Sequence, residues 1–283
     1  MESVNIVWDI NGNIMMKYNK EKPLKVVTLC SGYDSMCLAF NRLMELYPDF
    51  AYDLIAWSEF DPETPNVPLE KQPAVIAHNA LFPEHKDKNL GDMTKIDWSQ
   101  VADFDLLFYS TPCQSISQAG LQHGFAEGSG TRSSIIWNVR DCVKAKRPKY
   151  MMLENVRAMV SAKYVGLFNL WQRELEKLGY SNFAEVLNAR DFGVPQNRER
   201  IFLISVRNDD GGIVKYNFPT PFPLTLCLAD VLEEDVDEKY FLSDEMLARF
   251  CEKSLEEEGG NATEQEDACE DDEEDFENWF VAQ

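Results

Sequence analysis

Cys113, Glu154, Arg198 and Arg200 have the clearest chemical potential in this chain, because each stands beside an apolar run. Cys113 lies in Thr111-Pro112-Cys113-Gln114, directly after Asp105-Leu106-Leu107-Phe108-Tyr109-Ser110, which reads as a buried strand. Positions just past strand ends are where α/β enzymes place chemistry. A cysteine attacks as thiolate, which needs a cationic or hydrogen-bonding environment; taken alone it is more often a buried, inert thiol. Arg198 and Arg200 alternate before another strand, so in extended backbone they share a face. Either can turn toward Cys113 or pair at the surface with an acid such as Glu199. Glu154 follows the run Tyr150-Met151-Met152-Leu153. It reads as a general acid or as a partner for a ring nitrogen, with partial burial favouring its protonated form. It reads equally as the cap of a following helix.

A second set of residues suits an adenosine ligand. Gly32, in the turn Ser31-Gly32-Tyr33-Asp34, lets a ligand approach backbone. The turn lacks the G-x-G-x-x-G phosphate pattern. Glu59 closes a second apolar run, where an acid can accept from both hydroxyls of a ribose. Phe60 can stack on adenine, and Asp92, in Gly91-Asp92-Met93, can accept from an adenine amino group. Each residue alone is more often a solvated acid or a core aromatic.

These positions require a frame of alternating strands and helices. Apolar runs at 25–30, 52–57, 106–110, 150–153, 182–187 and 201–206 read as strands. Helical spacing of apolar residues occupies 35–47, 74–81, 133–146 and 164–178, with shorter helices expected at 226–236 and from Asp244 to Cys251, capped by Ser243. The alternation predicts an α/β fold with a mostly parallel sheet and helices on both faces. Residues 1–22 read as an N-terminal hairpin extension, with Asn11-Gly12-Asn13 as its turn and the main sheet as its place. Residues 23–251 then form the catalytic domain and 252–283 an acidic, disordered tail ending in an aromatic tip, Phe276 to Val281. Ser115 to Thr131, with Gly120, Gly124, Gly128 and Gly130, reads as a loop able to close over Cys113.

Composition narrows the setting. No apolar run approaches the ~20 residues of a membrane span. Seven cysteines, an odd number at irregular spacing, do not form a disulfide framework, and no CxxC pair suggests a metal. The expectation is a cytoplasmic protein with no metal and no membrane partner. The net charge is −22, of which −13 falls between Glu252 and Glu277, leaving −9 elsewhere. No global field favours a polyanion, so any nucleic-acid contact must come from a local patch or a partner.

In their order and spacing, Thr111-Pro112-Cys113-Gln114, Glu154-Asn155-Val156 and Gln196-Asn197-Arg198-Glu199-Arg200 resemble the DNA cytosine methyltransferases that modify ring carbon 5. Gly130-Thr131-Arg132-Ser133 and Arg147-Pro148-Lys149 are similar to that family too. The resemblance covers roughly Lys25 to Phe250. It implies the Rossmann-like methyltransferase fold, S-adenosylmethionine as cofactor and DNA as substrate. It also implies roles. Cys113 would attack carbon 6 of a cytosine turned out of the duplex, Glu154 would hold a proton at ring nitrogen 3, and Arg200 would sit near the base carbonyl. Arg198 and Asn155 belong to the same catalytic motifs, and Pro112 and Gln114 would shape the turn. Gly32, Glu59, Phe60, Asp92, Met93 and Ile135 would line the cofactor pocket.

The sequence departs from the family in three places. Cys30 stands where the first turn usually has phenylalanine, and Asp34 where it has a second glycine. The first change would weaken adenine packing; the second would put a charge near the methionine part of the cofactor. The usual target-recognition region and the closing Gly-Asn-Ser motif are not found, and no basic domain is present to grip DNA. Four readings follow: the catalytic chain of a split enzyme whose second subunit supplies target recognition, a truncated product, an RNA cytosine methyltransferase, or a non-catalytic protein whose acidic tail mimics nucleic acid. Intact Cys113, Glu154, Arg198 and Arg200 weigh against the last.

Overall fold

The computed structural model describes residues 5–7, 18–116, 124–209 and 215–249. Its contacts divide into two units. One comprises residues 1–188 and 198–221, the other 189–197 and 222–283. The stretch 23–251, expected as one domain, contributes to both.

The first unit is built on a six-stranded sheet. Its strands are β2 (Leu24–Leu29), β3 (Tyr52–Ser58), β4 (Leu106–Tyr109), β5 (Tyr150–Val156), β6 (Tyr180–Asn188) and β7 (Glu199–Arg207). They lie in the order β3-β2-β4-β5-β7-β6. The pairs β2/β3, β2/β4 and β4/β5 are parallel, whereas β7 runs antiparallel to both β5 and β6. The helices are α1 (Ser35–Leu46), α2 (Pro73–Leu81), α3 (Val139–Lys146) and α4 (Val165–Lys177).

Alternation along the strands makes two cores. Leu24 and Val26 of β2 and Leu106 of β4 pack with Cys37 and Phe40 of α1 and Val75 of α2. Val27, Leu29, Leu107 and Tyr109 point the other way, onto Val139 and Val143 of α3 and Phe168, Trp171 and Leu175 of α4. Helices therefore cover both faces, because successive strand residues bury opposite sides. The pairing of β2 with β3 skips Ile55, so Leu54 and Trp57 share the α1/α2 side.

Three expectations are corrected. Residues 133–146 do not form one α-helix: Arg132–Asn138 is a 3-10 segment, and α3 begins at Val139. Residues 226–236 contain one 3-10 turn, Leu228–Val231, too short to bury a face. The first arm of the expected hairpin, β1 (Asn5–Val7), pairs in parallel with β8 (Lys215–Asn217) and does not extend the main sheet. The turn and second arm of that hairpin lie outside the described residues, as does the tail 252–283 with its aromatic tip. The loop 115–131 is anchored at both described ends. Gly124 N donates to Ser115 O at 2.8 Å, Phe125 is fully buried, and Trp137 Nε1 donates to Phe125 O at 2.8 Å. Gly124 and Phe125 are thus part of the packed body, whereas 126–130 are exposed; the segment 117–123 lies outside the described residues. Residues 244–249 are helical, and Ser243 Oγ accepts from Met246 N at 3.3 Å. Among the described residues, no helix is long and apolar enough to cross a membrane, and no cluster of three His, Cys, Asp or Glu side chains could hold a metal.

Candidate active site

The carboxyl ends of β2, β3, β4 and β5 and the amino end of β7 converge on one cavity of about 620 Å³. The reversed direction of β7 makes this possible. Val156, the last residue of β5, pairs with Arg200, and Glu154 pairs with Phe202. Residues two apart on paired strands share a face, so Arg200 and Glu154 meet diagonally. Arg200 Nε lies 3.2 Å from Glu154 Oε1, and both side chains are largely buried. On the other side, Leu153 pairs with Tyr109. That register sets Ser110 beside Glu154, and Ser110 Oγ donates to Glu154 Oε2 at 2.7 Å. Neither Ser110 nor this bond was foreseen from sequence, though Ser110 stands at the same strand end as Cys113.

Pro112, Cys113 and Gln114 line the same cavity, with Arg198 and Arg200. The turn after β4 closes when Ile116 N donates to Cys113 O at 2.9 Å. Asn155 secures it from the side: its Nδ2 donates to Thr111 O at 2.8 Å and its Oδ1 accepts from Val156 N at 2.9 Å. Asn155 is therefore a brace for the cysteine turn. The Glu199 carboxylate pairs with Arg157, while Arg200 Nη1 donates to the Glu199 backbone O at 2.8 Å. Burial pushes the Cys113 thiol above its ordinary value, and the Arg200 and Arg198 guanidiniums pull it back only in part, against the Glu154 charge. Burial and the like charge of Arg198 in turn lower Arg200.

A raised thiol should be visible in its reactivity. Alkylation of Cys113 by iodoacetamide should be slow at neutral pH and rise about tenfold per pH unit beyond ~8.5, where an exposed thiol levels off. Arg200→Ala should slow it further at every pH below the plateau. Peptide mass spectrometry measures both; a wild-type plateau below pH 8 would contradict the raised thiol.

The other end of the cavity collects the second residue set. Gly32, Glu59, Phe60, Asp92, Met93 and Ile135 all line it. Gly32 has φ +57°, and a Cβ there would meet nothing within 4 Å, so the backbone faces open cavity. Gly32 N donates to Glu59 Oε2 at 2.7 Å. Burial raises the Glu59 carboxyl, while the N–H groups of Gly32 and Phe60 and the Arg132 charge pull it down in part. Asn89, which sequence reasoning missed, fixes this corner: its Oδ1 accepts from Glu59 N and Gly91 N, and its Nδ2 donates to Glu59 O. Asp92 is first of all a cap, accepting from Thr94 N and Thr94 Oγ1 and pairing with Lys95. Burial would raise its carboxyl, but Thr94 and Lys95 hold it below the usual range. Lys95 Nζ also stands 5.7 Å over the Phe60 ring. Cys30 Sγ contacts Met93 Sδ at 3.4 Å, giving this wall a sulfur surface at the position where the family usually has phenylalanine.

Asp34 is corrected. It does not place a charge in the cavity; its side chain is fully buried behind the turn. Its φ is 64°, and its oxygens meet Thr28 Oγ1 and Cys37 N, with His78 of α2 close by.

The family model for C-5 cytosine-specific DNA methylases matches residues 24–276. The chain belongs to that family. Among curated relatives, it is 46% identical over 162 residues to the Type II methyltransferase M2.ScrFI of Lactococcus lactis subsp. cremoris, covering 57% of this chain and 44% of that one. It is 37% identical over 231 residues to the Type II methyltransferase M.SsoII of Shigella sonnei, covering 80% and 54%. The chain thus spans about half the length of these curated relatives. Among solved structures, Spodoptera frugiperda DNMT2 superposes with a TM-score of 0.60 at 20% identity, covering 81% of this chain and 65% of that one. That likeness supports the fold, a mostly parallel sheet flanked by helices as in S-adenosylmethionine-dependent methyltransferases.

Proposed function

We propose that this chain transfers a methyl group to carbon 5 of cytosine in DNA, as the catalytic part of an assembly whose target recognition lies on another segment or subunit. The observation that carries the reading is the single cavity that faces Cys113, Glu154 and two arginines at one end and Gly32 with Glu59 at the other. The cofactor end fits S-adenosylmethionine: Gly32 leaves room where a side chain would intrude, and Glu59 offers a carboxylate for ribose hydroxyls. When bound, S-adenosylmethionine supplies an electrophilic methyl group. Phe60, Asp92, Met93 and Ile135 would enclose its adenosine part.

The substrate end can make carbon 5 nucleophilic. Cys113 thiolate adds to carbon 6, forming a sulfur–carbon bond and placing electron density on carbon 5. Glu154 holds the proton that ring nitrogen 3 requires as charge develops there. Arg200, fixed by Glu154, offers donors to the base carbonyl. After carbon 5 gains its methyl and loses its proton, the sulfur–carbon bond breaks and Cys113 leaves as thiolate. Covalent catalysis divides a difficult substitution into easier steps. Ring carbon 6 is inaccessible inside a duplex, so the base must first be turned out of the stack.

The test offers single-stranded and duplex oligonucleotides containing 5-fluorocytosine together with S-adenosylmethionine. Fluorine at carbon 5 cannot leave as a proton does, so an adduct through Cys113 should accumulate. The single strand spares the unstacking cost and the need for a recognition region. A chain that binds S-adenosylhomocysteine yet forms no adduct at Cys113 with either DNA would sink the reading.

Glu59 gives a separate prediction for the cofactor end. Glu59→Ala should weaken S-adenosylhomocysteine binding about 10- to 100-fold, the range for hydrogen bonds to a charged group. The carboxylate is the accepting form and its pKa is raised. Affinity should therefore be full at higher pH and fall as pH drops through a range above that of an exposed glutamate. Calorimetric titration at several pH values measures this; an affinity independent of pH in Glu59-containing protein would count against it.

A further inference from the structure

The turn after β2 carries three left-handed residues in five: Cys30 at φ 52°, Gly32 at 57° and Asp34 at 64°. Glycine adopts this region freely, whereas a side chain makes it costly. Such conformations persist only where surrounding contacts over-determine them. Here the contacts come from β3, where Ser58 O accepts from Ser31 N at 3.1 Å, and above all from Asp34. Its Oδ1 accepts from Cys37 N at 3.1 Å and caps α1, and its Oδ2 accepts from Thr28 Oγ1 at 2.6 Å. Ser31 Oγ donates to the same Thr28 oxygen at 2.8 Å, and Asp34 N donates to Ser31 O at 2.7 Å. One buried carboxylate thus ties strand, turn and helix together from behind. The front of the turn is left to Gly32, whose N–H is held by Glu59.

His78 of α2 faces the same carboxylate. It is fully buried and stacks on Trp57 with ring centroids 3.5 Å apart. Among the described residues neither ring nitrogen has a hydrogen-bond partner, and Nε2 lies 3.7 Å from Asp34 Oδ2. A buried polar atom without a partner is costly, and an N–H donated to a carboxylate is among the stronger hydrogen bonds. A small rotation of either side chain would join them.

We propose that Asp34 is the positioning residue of the cofactor turn and that His78 is its buried partner. The pair holds the turn in the left-handed form that presents Gly32 and Glu59 to an S-adenosyl ligand. Asp34 touches no ligand; it acts through the backbone of residues 30–34. The proposal rests on reading the cavity as a cofactor site, and the test separates the two.

The full chain is titrated with S-adenosylhomocysteine as wild type, Asp34→Gly, Asp34→Asn, His78→Phe and the double variant Asp34→Asn/His78→Phe. Glycine accepts φ +64° without strain but removes both acceptors. Asparagine tolerates the left-handed region and keeps a capping oxygen. Asp34→Gly should bind at least about tenfold more weakly, and Asp34→Asn within about threefold of wild type. His78→Phe should weaken binding about threefold or more, and less so when Asp34 is already Asn, the non-additivity expected of coupled neighbours. Amide hydrogen exchange across residues 30–34 should quicken in Asp34→Gly and be restored in Asp34→Asn. Binding and exchange unchanged in Asp34→Gly, or no recovery in Asp34→Asn, overturns the role of Asp34. An additive cycle overturns the role of His78. Wild-type protein that fails to bind S-adenosylhomocysteine overturns the cofactor reading, and hydrogen exchange then decides the turn by itself.

Discussion

A chain carrying Cys113→Ala should form no covalent complex with 5-fluorocytosine DNA and should lose methyl transfer by roughly three orders of magnitude or more. The size follows from chemistry. Carbon 5 of cytosine is a poor nucleophile until a group adds at carbon 6, and among the described residues no other side chain lining the cavity end beside Glu154 and Arg200 is a comparable nucleophile. Cys113→Ser should fare little better, because a serine hydroxyl is far less acidic than a thiol and no histidine lines the cavity among the described residues to act as its base. The loss should be confined to chemistry. Cys113 is only partly buried, so removing its sulfur should cost at most about 1 kcal/mol of stability. S-adenosylhomocysteine affinity should stay within about twofold, since Cys113 is not among the residues assigned to the adenosine. Adduct formation is followed by denaturing gel and mass spectrometry, and turnover by methyl incorporation. An adduct in Cys113→Ala, at any residue, would move the nucleophile elsewhere.

The sequence carried the site further than it carried the fold around it. Cys113, Glu154, Glu59 and Gly32 could be placed because each ends an apolar run, and a parallel sheet gathers such ends at one edge. The partnership of Arg200 with Glu154 could not be read the same way. It depends on β7 running antiparallel to β5, and an apolar run has no direction. Asp34 was misplaced for a related reason. Chain position puts it in the turn after β2, but its buried carboxylate is taken up by Thr28 and the first turn of α1. Asn155 and Asn89 illustrate a third limit. Their work is to hold neighbouring backbone, Thr111 O in one case and Glu59 in the other, and such bonds between residues 44 and 30 positions apart leave no local pattern. The helix expected at 226–236 was inferred from apolar residues that stay exposed, among them Leu228, Val231 and Leu232, so their spacing reports no buried face among the described residues.

Glu154→Gln should lower methyl transfer about 100- to 10,000-fold, the usual range for removing a positioned proton donor or acceptor. It should leave the chain folded. The amide oxygen can still accept from Arg200 Nε, where Glu154 Oε1 now stands 3.2 Å away, while the amide nitrogen can meet the Ser110 hydroxyl oxygen now 2.7 Å from Oε2. Glu154→Ala removes both acceptors and strands a largely buried guanidinium. It should therefore cost about 1–3 kcal/mol of stability in addition to activity. Comparing the two variants separates proton handling from scaffolding: chemistry should fall in both, melting temperature chiefly in the alanine. The step affected can also be isolated. Addition of Cys113 to carbon 6 makes carbon 5 exchange its hydrogen with solvent, so release of tritium from 5-tritiated cytosine without methyl donor reports attack alone. If Glu154 stabilises the ring as Cys113 adds, tritium release should fall in Glu154→Gln in step with methyl transfer. Release at the wild-type rate with methyl transfer lost would move Glu154 to a later step and leave the activation of carbon 5 to Arg200 and Cys113.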